Sequence, residues 1–211
     1  MSPRITTDQW LAAAKYRRSV YDLKDTSPVP DSRIEEIVTE VLSFTPSAWN
    51  SQHIRITIVL GEKHRQLWDV LTKEAEPVLR GIDESLWSLM GPRFKNFMGA
   101  YGSILFWNCE KSISQAKVDH KSGAHIIPQW ADHAAGMCQI LIWTALELEG
   151  FGANLPHMNA IAHLEDAIRK FAGAPDEYTL NATMTFGEKT QPHPEKVPDK
   201  LPYNQTLTMI K

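Results

Sequence analysis

Apolar residues recur along this chain with two periods. Ile34, Ile37, Val38, Val41 and Leu42 follow the i, i+3, i+4, i+7, i+8 spacing of a helix with one buried face. That helix opens at Asp31 or Ser32, where Ser32 and Glu35 have the spacing of a capping box. From residue 54 the period is two. Ile54, Ile56, Ile58 and Leu60 alternate with Arg55, Thr57 and Val59, and Gly61 closes what reads as a central or near-central strand. Glu62 to Arg80 returns to helical spacing through Leu67, Trp68, Leu71 and Ala75, with Pro77 expected to end or kink the helix. Gly81 to Gly102 is divided by Gly91 and Pro92, which predicts two short helices. Ser103 to Cys109 is a continuous apolar run of strand length, suited to the inside of a sheet. Glu110 to Pro128 has no strong period and is expected to be a mobile excursion that could lie over a site.

Gln129 to Glu149 is expected to be the longest helix. It is apolar on nearly every side, and Ala134-Ala135-Gly136 lets another backbone approach closely; such a helix is either the core of a large domain or a subunit interface, and in a chain of this length the interface reading gains weight. Gly150 to His157 is a glycine-terminated helix end leading into a short extended piece. A helix follows over Leu164 to Phe171, ending at Gly173, and then a strand over Tyr178 to Gly187. At the other end of the chain, Thr7 and Asp8 suit an N-cap for a short helix through Trp10, Leu11, Ala14 and Lys15, which delivers Tyr16-Arg17-Arg18-Ser19 to its C-terminal end. Residues 190–211 form an extended arm with four prolines between Gln191 and Pro202, and Thr206 to Ile210 reads as a strand that pairs with something distant, such as a partner subunit. Strands and helices alternate without a regular βαβ repeat, so the expected class is an α+β layered domain, one domain over residues 1–211.

Composition narrows the partners. Apolar residues at 43% and charged residues at 22% describe a chain that forms a core, and a net charge of −3 leaves no footprint for nucleic acid or a basic membrane patch. No segment approaches the ~20 apolar residues of a spanning helix, and the first sixteen residues contain no apolar run of signal-peptide length, so a cytoplasmic protein is expected. Cys109 and Cys138 lie in apolar company and read as buried reduced thiols.

Two segments carry candidate chemistry. Arg17, Arg18 and Ser19 place two guanidinium forks and a hydroxyl in consecutive positions, a set able to hold a terminal phosphate; the alternative is a basic helix end interacting with its own carbonyls. Ser47, Asn50 and Gln52 surround Trp49 in a polar connection between helix and strand. Each amide supplies a donor and an acceptor, which suits the polyol and ring edge of an aromatic heterocycle; the alternative is a cluster that braces the loop. Together they suit a mononucleotide-like cofactor. Competing chemistries lack their motifs. Gly150-x-Gly152 is followed by Leu155 where a dinucleotide fingerprint needs a third glycine, and there is no P-loop, no GxSxG elbow, and no HExxH or CxxC for a metal.

Arg17-Arg18-Ser19, the Pro46-Ser47-x-x-Asn50-Ser51-Gln52 turn, the Trp130 to Gly152 helix and glycine turn, and Phe186-Gly187 with its proline-rich tail resemble the FMN-dependent nitroreductase family. The likeness is to its short fungal-type subgroup, related to fatty-acid-repression and stress-response members. The resemblance implies a layered sandwich with a mainly antiparallel central sheet flanked by helices, and a homodimer with two FMN molecules at its interface and the C-terminal arm exchanged. It implies that Arg17, Arg18 and Ser19 bind the phosphate, completed by Lys200 or Lys189. Ser47 and Asn50 would come from the turn, one of them reaching the partner's flavin, with Gln52 facing the ring or ribityl. Backbone around Leu155, Pro156 and His157 would approach the ring near N5. Tyr21 stands where many members carry a lysine to the flavin's pyrimidine edge. The implied reaction is ping-pong hydride transfer from NADH or NADPH through flavin N5 to a nitroaromatic or quinone, with no catalytic side chain required, although Trp49 and His157 could shape the slot. A flavin sensor or reservoir with little turnover is the alternative.

Overall fold

The computed structural model of the chain describes residues 5–161 and 163–210. Five strands form one sheet: β1 (Leu23–Lys24), β2 (Ile54–Leu60), β3 (Gly102–Cys109), β4 (Phe151–Asn154) and β5 (Tyr178–Lys189). All named pairings are antiparallel. β3 lies between β2 and β5, while the end of β5 is flanked by β1 and β4. β2 is therefore an edge strand and not a central one. Its alternation reports that both faces meet something, which says nothing of how many strands lie beside it.

The sheet is covered on both sides, giving an α+β layered sandwich. On one face Ile104, Phe106, Met184 and Phe186 pack against α2 (Asp31–Phe44) and α6 (Ile127–Leu148) through Ile34, Val38, Cys138 and Ile142. On the other, Leu105, Trp107 and Leu180 meet α3 (Gly61–Ile82), α4 (Glu84–Met98) and α7 (Leu164–Ala172) through Trp68, Leu71, Phe94 and Ile168. Two covered faces explain why every residue of β3 is buried. No helix among the described residues is long and apolar enough to cross a membrane.

Several local expectations change. α1 (Thr7–Tyr16) is capped by Thr6, whose hydroxyl accepts from Gln9 N–H while the Gln9 side chain bonds back, so the capping box is one position earlier than Thr7 and Asp8. α2 starts at Asp31 after Pro30 with no side-chain cap, which leaves Ser32 inside the helix, and Leu42 is exposed. α3 runs through Pro77, and α4 is one helix through Gly91 and Pro92. Both prolines are exposed, as are Lys73 and Ser88 four residues earlier, so the carbonyls each proline frees face water while the opposite stripe keeps its burial. The expected excursion is ordered as α5 (Glu110–Asp119), held by Ile113 and Ala116 against Ile127 and Ala131. α6 at 22 residues is equalled in length by α3. Gly173 closes α7 in the left-handed region, as its position suggested. In place of the expected strand over residues 206–210 the chain has α8 (Tyr203–Thr206), after which residues 207–210 pair with no strand among the described residues of the same chain.

A buried hydrogen-bonded chain ties the second core together. The Trp68 indole N–H donates to Ser103 Oγ at 3.0 Å, the Ser103 hydroxyl to His64 Nδ1 at 3.0 Å, and His64 Nε2–H to the Phe97 carbonyl at 2.9 Å. Burial pushes the His64 pKa down to about 4. Its folded value is depressed, so its neutral form is favoured by folding: that stability is intact above the ordinary value near 6.5 and is lost as pH falls toward 4. The whole gap corresponds to roughly 3 kcal/mol. Between about pH 7 and about pH 5, wild type should lose about 2 kcal/mol more than His64→Gln, measured by denaturant unfolding at each pH.

Candidate functional site

Arg17 ends α1 in an extended conformation, and the chain then runs beside β4. Ser19 forms a parallel bridge with Ala153, Val20 N–H donates to the Ala153 carbonyl at 2.9 Å, and Asn154 Nδ2 donates to the Val20 carbonyl at 2.8 Å. These contacts bring Arg17 to Tyr21 next to the stretch that leads into Leu155, Pro156 and His157. Leu155 is half-buried, Pro156 buried, and His157 and Tyr21 exposed.

Beneath this segment lies Glu147, 1% exposed. Its two carboxylate oxygens accept the Arg18 backbone N–H at 3.0 and 3.1 Å, and Oε1 accepts the Trp143 indole N–H at 2.9 Å. The Trp143 ring in turn carries the Arg17 guanidinium, 4.3 Å from its centroid. Lys189 Nζ donates to the carbonyls of Gly150 and Phe151 at 2.8 and 2.5 Å, and burial lowers its pKa while the Glu147 charge raises it. Burial pushes Glu147 up to about 7 against these donors and cations. The Arg18 head turns back onto the end of α1, donating to the carbonyls of Lys15 and Arg17, while its Nε is buried without a partner among the described residues. The helix-end reading thus describes where the Arg18 head lies. Lys200 is exposed in the tail and forms no hydrogen bond or ion pair among the described residues, so Lys189 is the lysine at this cluster.

The second segment is strained. Trp49, Asn50 and Gln52 have φ of 49°, 54° and 46°, three left-handed non-glycine residues within four positions. Ser47 Oγ accepts the Gln52 N–H at 3.1 Å, so Ser47 braces the loop. The Asn50 and Gln52 side chains are exposed and form no hydrogen bond among the described residues. Trp49, half exposed, stacks on His120 with centroids 4.0 Å apart and meets Trp130 edge-on at 5.1 Å. Gly123 completes the socket, since a Cβ there would lie 2.8 Å from the Trp49 ring. Below, the Ser51 hydroxyl meets His53 Nδ1 at 3.1 Å and His53 Nε2–H donates to the Ala131 carbonyl at 3.0 Å; burial lowers the His53 pKa. A largely apolar depression of about 440 Å³ opens between the loop and Trp130, His133, Ala134 and Met137.

The two segments are thus built on opposite ends of α6, one on Trp130 and one on Trp143. Thirteen residues of helix separate these anchors by about 20 Å. Within one chain they do not enclose a common site. Glu147 and His193, which touches Glu147, were missed in the sequence; a carboxylate between Leu146 and Leu148 near the end of a largely apolar helix was the available signal. Both cysteines are buried free thiols, and burial raises the Cys138 pKa.

The family model described as the nitroreductase family matches residues 14–188. The nitroreductase FRM2 of Saccharomyces cerevisiae is 32% identical over 203 residues, covering 93% of this chain and 94% of its own. Among solved structures, nitroreductase CinD from Lactococcus lactis in complex with chloramphenicol superposes with a TM-score of 0.80 at 26% identity, covering 96% of this chain and 100% of that one. A nitroreductase from Saccharomyces cerevisiae gives 0.72 at 28% identity, covering 88% and 98%.

Strain in the loop predicts opposite effects of two changes. Gln52→Gly should raise stability by about 1 kcal/mol by relieving a left-handed residue, and Trp49→Ala should lower it by about 2 kcal/mol through two lost aromatic contacts. Urea unfolding of each variant checks both signs.

Proposed function

The chain belongs to the nitroreductase family, and from that premise we propose that it is a homodimeric FMN-dependent oxidoreductase that uses NADH or NADPH to reduce nitroaromatic or quinone-type compounds. The observation that carries the reading is the cation cluster on Glu147. Arg17 and Lys189 bring their charges to it, Ser19 stands exposed in the same segment, and the buried Arg18 Nε has no acceptor among the described residues. A phosphate monoester supplies the missing acceptor, so the residues present fit the terminal phosphate of FMN.

Arg17, Ser19 and Lys189 would hold that phosphate, with Arg18 joining if its head leaves the end of α1. Backbone of residues 155–157, to which β4 leads, would face the flavin ring. When bound, FMN supplies two-electron exchange, first with a nicotinamide and then with an aromatic oxidant in the same slot. The chain contributes position, charge and exclusion of water. CinD has been solved with chloramphenicol and with 4-nitrophenol, which supports nitroaromatic acceptors.

Two features support the dimer. Asn50 and Gln52 face no ligand site shared with Arg17 in their own chain, and an apolar groove of about 620 Å³ is lined by Ile5, Trp10, Phe44, Ile140 and Leu148. Trp10 is 59% and Phe44 54% exposed, more than an isolated helix layer tolerates without cost. A second copy related by a two-fold axis perpendicular to α6, which sets the two α6 helices antiparallel, would cover this groove and bring the 47–52 loop of one subunit to the phosphate cluster of the other. The arm, exposing Leu201, Leu207, Met209 and Ile210, would wrap the partner.

The purified protein should show a flavin absorption spectrum that bleaches anaerobically with NADH or NADPH and returns on adding a nitroaromatic or a quinone. A protein that stays colourless with added FMN would overturn the proposal. Arg17→Ala should weaken FMN binding by about tenfold to a hundredfold, a charge-assisted contact being worth about 1.5–3 kcal/mol, with a smaller change in thermal stability; flavin titration and calorimetry measure the two. Trp10→Glu should shift sedimentation toward monomer.

A further inference from the structure

The tail after β5 is fastened to the segment that carries the anion cluster. Lys189 pairs with Leu23 in the sheet, and Thr190 gives its N–H and its hydroxyl to the Asp22 carbonyl at 3.2 and 3.0 Å. His193 then reaches Tyr16. Its Nε2–H donates to the Tyr16 carbonyl at 2.7 Å, and the two rings stack with centroids 4.0 Å apart and planes 9° from parallel. Residues 189–193 therefore form a strap antiparallel to residues 16–23, alongside Arg17, Arg18 and Ser19.

The strap ends on an unusual contact. With Nε2 carrying its hydrogen, His193 Nδ1 faces inward, buried and without a hydrogen-bond partner among the described residues. It lies 3.7 Å from Glu147 Oε2, the carboxylate that also holds the Arg18 backbone and the Trp143 indole. A ring nitrogen without a hydrogen and an ionised carboxylate oxygen, which accepts the Arg18 N–H and has a lone pair to spare, face each other as two acceptors at that separation. A proton on either partner turns repulsion into attraction. We propose that Glu147 and His193 are positioning residues for the anion cluster, and that one proton shared between them clamps the 189–193 strap and the Arg18 backbone to α6. This rests on reading Arg17 to Ser19 as a phosphate site, and it ties the strength of that site to the clamp's proton.

The surroundings favour retention of a proton near neutrality. The groups facing the pair are the Arg18 N–H and the Arg17 and Arg18 charges from the N-terminal segment, Trp143 from α6, Lys189 from β5 and the Tyr16 carbonyl from α1. Burial raises Glu147 and lowers His193, so the carboxyl is the favoured resting place, while the donors and cations around it draw the other way. The two titrate as one unit. The raised carboxyl sets the sign: below the pair's upper transition the clamp is closed, and as pH rises through it both partners become acceptors and the strap loosens.

The test is hydrogen exchange of the stretch 189–196 in the full-length protein, corrected for intrinsic exchange, alongside FMN dissociation constants. Wild-type protection should fall about tenfold between about pH 6 and about pH 8.5. Glu147→Gln, whose amide donates to Nδ1 at every pH, should hold protection constant, and His193→Ala should lack it throughout. Wild-type protection that does not change with pH, or that His193→Ala leaves intact, would overturn the clamp, with or without bound flavin. If protection behaves as expected in a protein that binds no FMN, the phosphate reading fails and the clamp stands. If FMN binds and its affinity relative to Glu147→Gln does not follow the wild-type protection, the link between clamp and cluster is overturned.

Discussion

A single buried carboxylate organises one half of this molecule. Glu147 is taken out of water at the end of α6, where an unpaired charge would cost several kcal/mol. It is retained because three elements meet on it: the Arg18 backbone, the Trp143 indole and the Lys189 and Arg17 charges. Each of these would be differently placed without it. The N-terminal segment would lose the contact that holds it beside β4, and Trp143 would lose the bond that sets its ring beneath Arg17. A stretch of chain with no helical or strand ladder of its own thereby acquires a fixed position.

The other half is organised by strain. Left-handed conformations at Trp49, Asn50 and Gln52 turn polar side chains outward instead of into the core, and the His120, Gly123 and Trp130 socket opposes the relaxation of the loop. Both halves share one beam, α6. Its sheet-facing side belongs to the core through Cys138 and Ile142, whereas Ile140 and Leu148 look away from it, which is why the helix is apolar on every side.

Periodicity made most of the elements legible. α2, α6, α7, β3 and β5 follow from apolar spacing, because each buries a continuous stripe or face. Less was legible where two principles compete. Pro77 and Pro92 broke helices on paper and not in the structure, since burial of Trp68 and Phe94 outweighs one lost backbone bond on a wet surface. The edge position of β2 depends on pairing partners distant in sequence, about which Ile54 to Leu60 carry no information. At the candidate site the residue types were readable and their grouping was not. Arg17 and Lys189 meet because Ser19 bridges Ala153, a contact across 134 positions that no local pattern encodes. That Lys189 lies near Arg17 depends on the ladder with Leu23.

The spacing of the two segments along α6 has a genetic consequence. If each complete site draws its phosphate cluster from one subunit and its strained loop from the other, a chain defective at Arg17 and a chain defective at Asn50 are not equivalent failures. Each alone assembles dimers with both sites broken. Expressed together, they form mixed dimers in which one site collects both lesions and the other collects neither. Two null alleles would then complement to a fraction of wild-type function, bounded by the share of dimers that are mixed.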